Sequence, residues 1–593
     1  MAGTSRGNRE PRQQRGARTT ASELERYVSR GSNRAFVVVA LFMAIAAVFL
    51  IRLVFLQVII APQYAAQAEE SRTVGFVVEP RRGTIYDRNG HILAISVDAT
   101  TIYANPSEIT EPDATSRAIA EALGGKASDY VGALTNSGSP TFSFVKRKAD
   151  VSAAERLRAL ELPGIYFLGD TRREYPYGQT GGQVIGACSI EVDQEANREY
   201  YVGICGLEMY YNTILSGTAG YYEAEVGANG TPIPGGVHES TPAVEGQDIV
   251  ISLDIEFQED LERDLKNGLK AVDVKSGTAV VMDSTTGEIY AASSSPFFNP
   301  ANRTEVPEGS MQLKCATNLF EPGSIFKTVS AMAILEEGTM TPDTKVKCPS
   351  YIEADGYTVS DAWERGDETM DLRTIIKKSS NVGISLSVEK NLGFDDLYDA
   401  IIRYRLNTLT GVDYPGEQLG YLLDFDHWSR VTGYNVTFGQ GISVNALQML
   451  AFYGALINDG VAQTPHFLLR KPQTGEVPTW ETHEIIENKK ALDPMLSMLR
   501  SVVSEQDGTG KNAAIEGYDL AGKTSTAEIY DEENGGYRDS VYNIAFTGFI
   551  ENSNCPLVCF CGADEVPADR NVTVMFHDIM QDVIERYNIV STK

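Results

Sequence analysis

An apolar run near the start of this chain limits what the rest can do more than any other feature. Ala35 to Ile51 is 17 residues without a charge, AFVVVALFMAIAAVFLI, and after Arg52 the run continues as LVFLQVIIA to Ala61. About 20 apolar residues in a helix cross the hydrocarbon of a bilayer, so residues 35–61 read as a transmembrane anchor. Arg52 falls toward its far end, where a long side chain reaches the headgroups. Residues 1–34 hold eight Arg and three Glu, a local charge of +5, and the whole chain is at −29, which leaves −34 for everything else. The positive-inside rule therefore predicts a basic cytoplasmic tail at 1–34, a single-pass helix in the cell membrane and an extracytoplasmic bulk. A cleaved signal peptide is the competing reading, with small residues at Ala65-Ala66-Gln67-Ala68. Secretory apolar cores run about 7–15 residues, and the longer run here favours an uncleaved anchor.

The acidic remainder argues against extended contact with nucleic acid, whose phosphates it would repel. At 593 residues, 42% hydrophobic and 22% charged, the chain is an ordinary globular one too long for a single core. Its seven Cys are odd in number and scattered, with no CxxC and no HExxH, so neither a disulfide framework nor a zinc site is indicated. Cys559 and Cys561, two apart in an apolar run, share one strand face as buried thiols.

Two folded regions follow the anchor, at 62–245 and 246–593. In the first, Thr84-Ile85-Tyr86 and His91-Ile92-Leu93-Ala94 flank Asp87-Arg88-Asn89-Gly90. Asn-Gly there predicts a hairpin whose two central residues take positive φ. Residues 110–165 look more helical, and Arg173 to Gly220 reads as loops and short elements. In the second region, IVISLD alternates as a strand and EFQEDLERDLKNGLKAV has amphipathic spacing. Thr278–Met282 and Ile289–Ala292 around Ser284-Thr285-Thr286-Gly287 predict an antiparallel hairpin. Strand-like runs return at Leu520–Tyr530, Tyr542–Ile550, Pro556–Cys561 and Val572–Phe576, before a closing helix DIMQDVIERY. Strands at both ends with helices between predict an α+β domain built on an antiparallel sheet that joins the two termini.

Three short elements in this region carry chemistry. Glu321-Pro322-Gly323-Ser324-Ile325-Phe326-Lys327 opens a helix that Gly338 ends. Ser324 and Lys327, three apart, stand on one face, which brings an amine to a hydroxyl. A serine is a poor nucleophile until a base takes its proton, and a lysine is such a base only when burial or a neighbouring cation lowers its pKa. Alone the tetrapeptide is weak, because an amphipathic helix with a surface Lys looks the same. Ser379-Ser380-Asn381 and Lys523-Thr524-Ser525-Thr526 are weaker still singly, but they follow in order.

Taken together these elements resemble the penicillin-binding proteins, in their class B, high-molecular-weight branch; Ser-x-x-Lys followed by Lys-Thr-Gly is a pattern of that superfamily. The resemblance runs from about Arg34 to the end. It includes Arg82-Gly83-Thr84-Ile85-Tyr86-Asp87-Arg88-Asn89-Gly90 with Leu93-Ala94, Tyr175-Pro176-Tyr177-Gly178, Gly206-Leu207-Glu208 and Leu215-Ser216-Gly217, all similar to motifs of the family's elongated α+β pedestal (dimerisation-type) domain. Asp283-Ser284-Thr285-Thr286-Gly287-Glu288 and Phe438-Gly439-Gln440-Gly441-Ile442-Ser443-Val444 are similar to landmarks of its transpeptidase domain.

The resemblance implies a serine D,D-peptidase/β-lactamase-like catalytic domain, with helices on both sides of the sheet, that cross-links peptidoglycan stem peptides and is acylated by β-lactams. It implies that Ser324 attacks the D-Ala-D-Ala carbonyl, Lys327 takes its proton, Ser379 relays a proton to the leaving amine, and Asn381 holds the substrate amide and helps position Lys327. Backbone amides of Ser324 and Thr526 would form the oxyanion hole, while Lys523, Thr524 and Thr526 would receive the donor's carboxylate. No metal or organic cofactor is implied. Ser525, which the resemblance groups with Thr524 and Thr526 as substrate-binding, stands where the family usually has Gly. Its side chain would narrow the cleft or add a hydrogen bond, and shift the range of accepted β-lactams.

With no room for a glycosyltransferase domain before residue 246, the resemblance implies a separate glycan polymerase of the SEDS type as partner, among other membrane wall-synthesis proteins. Asn381 and the FEPGSIFK context favour a division or sporulation enzyme over an elongation enzyme. Two alternatives stand beside this reading: a β-lactam-hydrolysing or -sensing protein, against which the pedestal motifs speak, and a non-catalytic scaffold of a wall-building complex, against which the complete set of side chains speaks.

Overall fold

The computed structural model of the chain describes residues 21–63, 73–136, 142–193, 198–226, 232–530 and 536–592. Residues 1–20 of the basic tail and the small residues at 65–68 lie outside these. Two units are described separately. The first, residues 1–78 with 221–242, contains helix α1 (Ala21–Val54), continued by a π-helical turn Phe55–Ile59. Its stretch Arg34–Ile59 is long enough to cross a membrane, and the most apolar 18 residues within it have a mean hydropathy of 2.9 and none buried. A three-stranded sheet of Thr73–Val78, Gly220–Val226 and Pro232–Thr241 belongs to the same unit.

The second unit, 79–220 with 243–593, holds the rest. Strands β1 (Ile85–Tyr86) and β2 (Ile92–Ala104) form the predicted hairpin, Ile85 opposite Ala94. The turn differs from expectation: of its four residues only Gly90 has positive φ, +92°. The Asp87 carboxylate supplies the closure instead, accepting the amides of Asn89 and His91 at 2.9 and 2.7 Å. Strands β3 (Ser143–Asp150) and β4 (Ile165–Glu174) both pair antiparallel with β2. Strand β5 (Ile249–Ile251), the IVISLD segment, pairs parallel with β1.

Helix α2 (Ile255–Ala271) starts where Asp254 caps the amide of Phe257. Its Phe257, Leu261, Leu265 and Leu269, at helical spacing, are all buried. Strands β6 (Gly277–Asp283) and β7 (Ile289–Ser295) make the second predicted hairpin. After the central helices α3 (Lys327–Glu337), α4 (Leu372–Lys378), α5 (Asn381–Asn391) and α6 (Ala446–Ile457), strand β8 (Leu468–Arg470) pairs with β5. The chain then returns as β9 (Asp519–Tyr530), β10 (Tyr537–Glu551), β11 (Leu557–Pro567) and α7 (Thr573–Arg586).

The five-stranded sheet has the order β7-β6-β11-β10-β9, every neighbouring pair antiparallel, so the two ends of the region join at β6 and β11 as expected. Alternation sends Val558 and Phe560 of β11 into one core with α3 and α6, and Leu557, Cys559 and Cys561 into another with α2 and α7. Helices thus cover both faces. All seven cysteines are buried free thiols, Cys559 and Cys561 on one face. One expectation is corrected: Val572–Phe576 is not a strand but leads into helix α7, which starts at Thr573. Thr573, Phe576, Met580 and Val583 are buried along it at helical spacing, and that longer apolar stripe outweighs the β-forming character of Val572 to Phe576.

Candidate functional site

The three chemical elements meet against β9, the last strand of the sheet. Ser324 lies in a single 3-10 turn, Gly323–Phe326, that runs directly into α3. That turn is clamped from several sides: Gly323 N–H donates to the Gly439 carbonyl at 2.9 Å, Phe320 and Val444 exchange backbone hydrogen bonds, and Tyr453 OH reaches the Ile325 carbonyl at 3.0 Å. Gly323 has φ +54°, and a Cβ there would lie 2.6 Å from Ser525 Oγ and 2.9 Å from the Ala527 methyl. Only glycine fits.

Helix α3 is buried from Lys327 to Glu336, and this sets the chemistry of its first residue. Lys327 Nζ is 3.0 Å from Ser324 Oγ, 3.0 Å from Ser379 Oγ and 2.6 Å from the Ser379 carbonyl. The side chain is fully buried. That burial, reinforced by the charge of Lys523 and opposed by Asp361, holds the amine well below the ordinary lysine range. Lys523 is equally buried, and desolvation brings it to about 7. Its Nζ lies 3.0 Å from Ser379 Oγ and 3.1 Å from the Thr524 carbonyl. A neutral amine beside one hydroxyl, and a second hydroxyl between two amines, can pass a proton along a continuous path.

Ser379 reaches this position through its backbone. It ends α4 at φ +64°, a left-handed conformation costing roughly 1–2 kcal/mol for a residue with a Cβ. Ser380 then caps α5, its Oγ accepting the Gly383 amide at 2.9 Å and donating to Asp361 at 2.8 Å. Asp361 also accepts the Val382 amide at 3.0 Å and pairs with Arg365 at 2.6 Å. Asp361 and Arg365 have no motif spacing to the other elements, and nothing in the sequence singles them out. Asn381 stands aside from Lys327: its Nδ2 donates to the Ser360 carbonyl at 3.0 Å.

Along β9 the alternation is complete. Lys523, Ser525 and Ala527 are buried, while Thr526 and Glu528 are exposed and Thr524 is partly so. Thr524 Oγ1 donates to Thr509 Oγ1 at 2.9 Å, adding a residue the sequence did not mark. Ser525 adds a hydrogen bond, donating to the Pro322 carbonyl at 2.5 Å. It is 4% exposed, turned under the Ser324 turn. Among the described residues no strand pairs with the outer edge of β9, which leaves backbone groups open to an extended peptide.

In the 79–220 part, three motifs read from the sequence converge on one buried carboxylate. Glu208 takes Arg82 Nε at 2.6 Å and Arg173 Nε at 2.7 Å, with Tyr175 OH at 3.3 Å. Burial pushes its carboxyl up, and the guanidiniums of Arg173 and Arg82 outweigh burial and hold it at about 2.

Two family models match the chain, a penicillin-binding protein transpeptidase domain over residues 277–581 and a penicillin-binding protein dimerisation domain over 77–251. Penicillin-binding protein PbpB of Mycobacterium tuberculosis is 30% identical over 91% of this chain and 82% of its own length. Stage V sporulation protein D of Bacillus subtilis is 29% identical over 87% and 80%. Among solved structures, penicillin-binding protein 3 of M. tuberculosis complexed with aztreonam superposes with a TM-score of 0.65 at 27% identity, covering 86% of this chain and 97% of that one. This chain belongs to the penicillin-binding proteins, in the class B arrangement that sets a dimerisation domain before a transpeptidase domain.

Proposed function

We propose that this protein is a peptidoglycan D,D-transpeptidase of the division and sporulation branch, with Ser324 as the acyl-carrying nucleophile. The observation that carries the reading is the chain of contacts Ser324 Oγ–Lys327 Nζ–Ser379 Oγ–Lys523 Nζ, each 3.0 Å. Ser324 Oγ bonds to the carbonyl carbon between two D-Ala residues and gives its proton to Lys327. The C–N bond breaks, and Ser379 delivers a proton to the departing amine while Lys327 replenishes it. Amides of Ser324 and Thr526 receive the negative oxygen of the tetrahedral intermediate. Lys523, with Thr524 and Thr526, takes the donor's carboxylate, and Asn381 the substrate amide. An amine from a second stem peptide then replaces Ser324 on the carbonyl. The names of relatives, among them peptidoglycan D,D-transpeptidase FtsI of Buchnera aphidicola, support the same reaction.

The reading extends to the whole chain: a cytoplasmic tail at 1–34, an anchor at 35–61, a pedestal at 62–245 and a transpeptidase domain at 246–593, the last two outside the membrane. A membrane glycan polymerase of the SEDS type would act on the same wall beside it. A fluorescent penicillin tests the site. The protein should be labelled and the adduct should persist. Ser324→Ala should abolish labelling, and Lys327→Met should slow it by about 10²–10⁴-fold, the range of general-base assistance. Labelling that survives Ser324→Ala removes the nucleophile, no labelling at all favours a scaffold, and rapid loss of label favours a hydrolase.

A further inference from the structure

We propose that Ser525 is a positioning residue: its hydroxyl clasps strand β9 to the Ser324 turn and fixes the separation of the two amides that receive the oxyanion. The inference rests on the reading of Ser324 as nucleophile and deepens it. One amide belongs to Ser324 in the turn, the other to Thr526 on the strand, and Ser525 is the buried residue immediately before Thr526. Its Oγ donates to the carbonyl of Pro322, two residues before Ser324, at 2.5 Å. Pro322 and Ser525 are 203 positions apart in the chain, so nothing local holds the two carriers in register.

The surroundings give the clasp its weight. Ser525, Ala545, Gly562 and Thr278 lie opposite one another across β9, β10, β11 and β6, a row dominated by small side chains. Above that row is a cavity of about 940 Å³, lined among others by Phe320, Glu321, Ser525, Ile529, Ala545 and Phe560. Phe320 and Glu321, which lead into the turn, border that space, so on this side the approach to the turn is held by hydrogen bonds more than by packed side chains. Gly323, without a Cβ, lets the turn sit directly on Ser525 and Ala527. A residue 4% exposed, pointing under the turn, acts on catalysis through the turn and not by touching substrate. Oxyanion donors work only when held where charge develops, so the clasp stabilises the transition state more than the bound ground state.

The experiment compares the full-length protein in detergent with Ser525→Ala and Ser525→Gly, the latter being the residue usual in the family. Stopped-flow acylation by a fluorescent penicillin separates the apparent dissociation constant from the acylation rate constant. A boronic acid that forms a tetrahedral adduct on serine reports transition-state affinity. Both variants should be labelled. Their acylation rate constant should fall about tenfold, part of the 10²–10³ lost when a donor is deleted outright. Boronate affinity should fall by the same factor, and the dissociation constant should stay within about twofold. Unchanged rate and boronate affinity in the folded variants overturn the clasp, as does a weakened dissociation constant with an unchanged rate, which marks a substrate contact. If Ser525→Ala does not fold, Ser525→Gly decides by the same criteria. A wild type that is not acylated overturns the catalytic reading itself, a result distinct from equal rates across the three proteins.

Discussion

The amines of Lys327 and Lys523 converge on one oxygen: each Nζ lies 3.0 Å from Ser379 Oγ, and both side chains are fully buried. Two cations so close oppose each other's charging, and burial opposes both. On Lys327, burial and the neighbouring amine act in the same direction and hold it well below the ordinary lysine range.

This coupling predicts a pH effect with a definite sign. In the proposed mechanism neutral Lys327 is the base, so acylation falls as pH drops through its lowered pKa. Lys523, at about 7, carries charge below that pH and makes Lys327 harder to protonate there. In Lys523→Met that repulsion is gone, the Lys327 pKa rises, and the acid limb of the acylation profile should move to higher pH. Rates at saturating penicillin between pH 5 and 9 measure it; a limb that stays put or moves down contradicts the assignment.

Asp361 holds the second element in place through Ser380, Val382 and Arg365. Asp361→Ala leaves Arg365, whose side chain is 3% exposed, without its partner, and breaking such a pair costs about 3–5 kcal/mol. Both the melting temperature and the acylation rate should drop. Asp361→Asn keeps an acceptor oxygen for Ser380 and Val382 and should lose less of each. An Ala variant with the wild-type acylation rate would show that Ser379 holds its position without Asp361.

Glu208 predicts acid sensitivity in the part of the chain that carries no catalytic element. Its carboxyl is at about 2, against an ordinary 4.5. A depressed carboxyl stabilises the fold fully above its unfolded pKa, and that contribution is lost as pH falls from about 4.5 through about 2. The shift corresponds to about 3 kcal/mol. Glu208→Gln should remove this part of the pH dependence and destabilise the protein at pH 7, because Arg82 and Arg173 remain buried and charged. Denaturant unfolding at pH 7, 4 and 2.5 reads both effects.

Gly323→Ala places a methyl at φ +54° and within 2.6 Å of Ser525 Oγ. The turn has to move, and acylation should fall by tenfold or more while the melting temperature changes by a few degrees. A labelling time course beside a melt distinguishes this from general unfolding; wild-type labelling kinetics would mean the turn tolerates a side chain.

Much of this was legible in the sequence because it is local. The anchor, both hairpins, α2 and the order of the chemical elements follow from periodicity and from residue types at short spacing. Misreadings came where another interaction overruled the expected local preference. The Asp87-Arg88-Asn89-Gly90 turn is closed by a carboxylate that replaces one of the expected positive φ angles. Val572 to Phe576 favours a strand, but the buried stripe of α7 extends through Thr573 and Phe576 and makes a helix.

The site divides the same way. Three residues of spacing suffice to bring Ser324 to Lys327, because one helical turn always does so. The protonation of that lysine is decided elsewhere. Ser379 comes from 52 residues away, Lys523 from 144 residues beyond Ser379, and the Pro322–Ser525 bond spans 203. By itself the sequence determined which side chains the chain owns and which helix or strand face each would occupy. Only the tertiary structure decided that both lysines lose their water, that Asp361 meets Ser380 and Arg365, and that Ser525 turns under the Ser324 turn. Desolvation and field are set by whatever packs around a group, and here every partner arrives from a distant part of the chain.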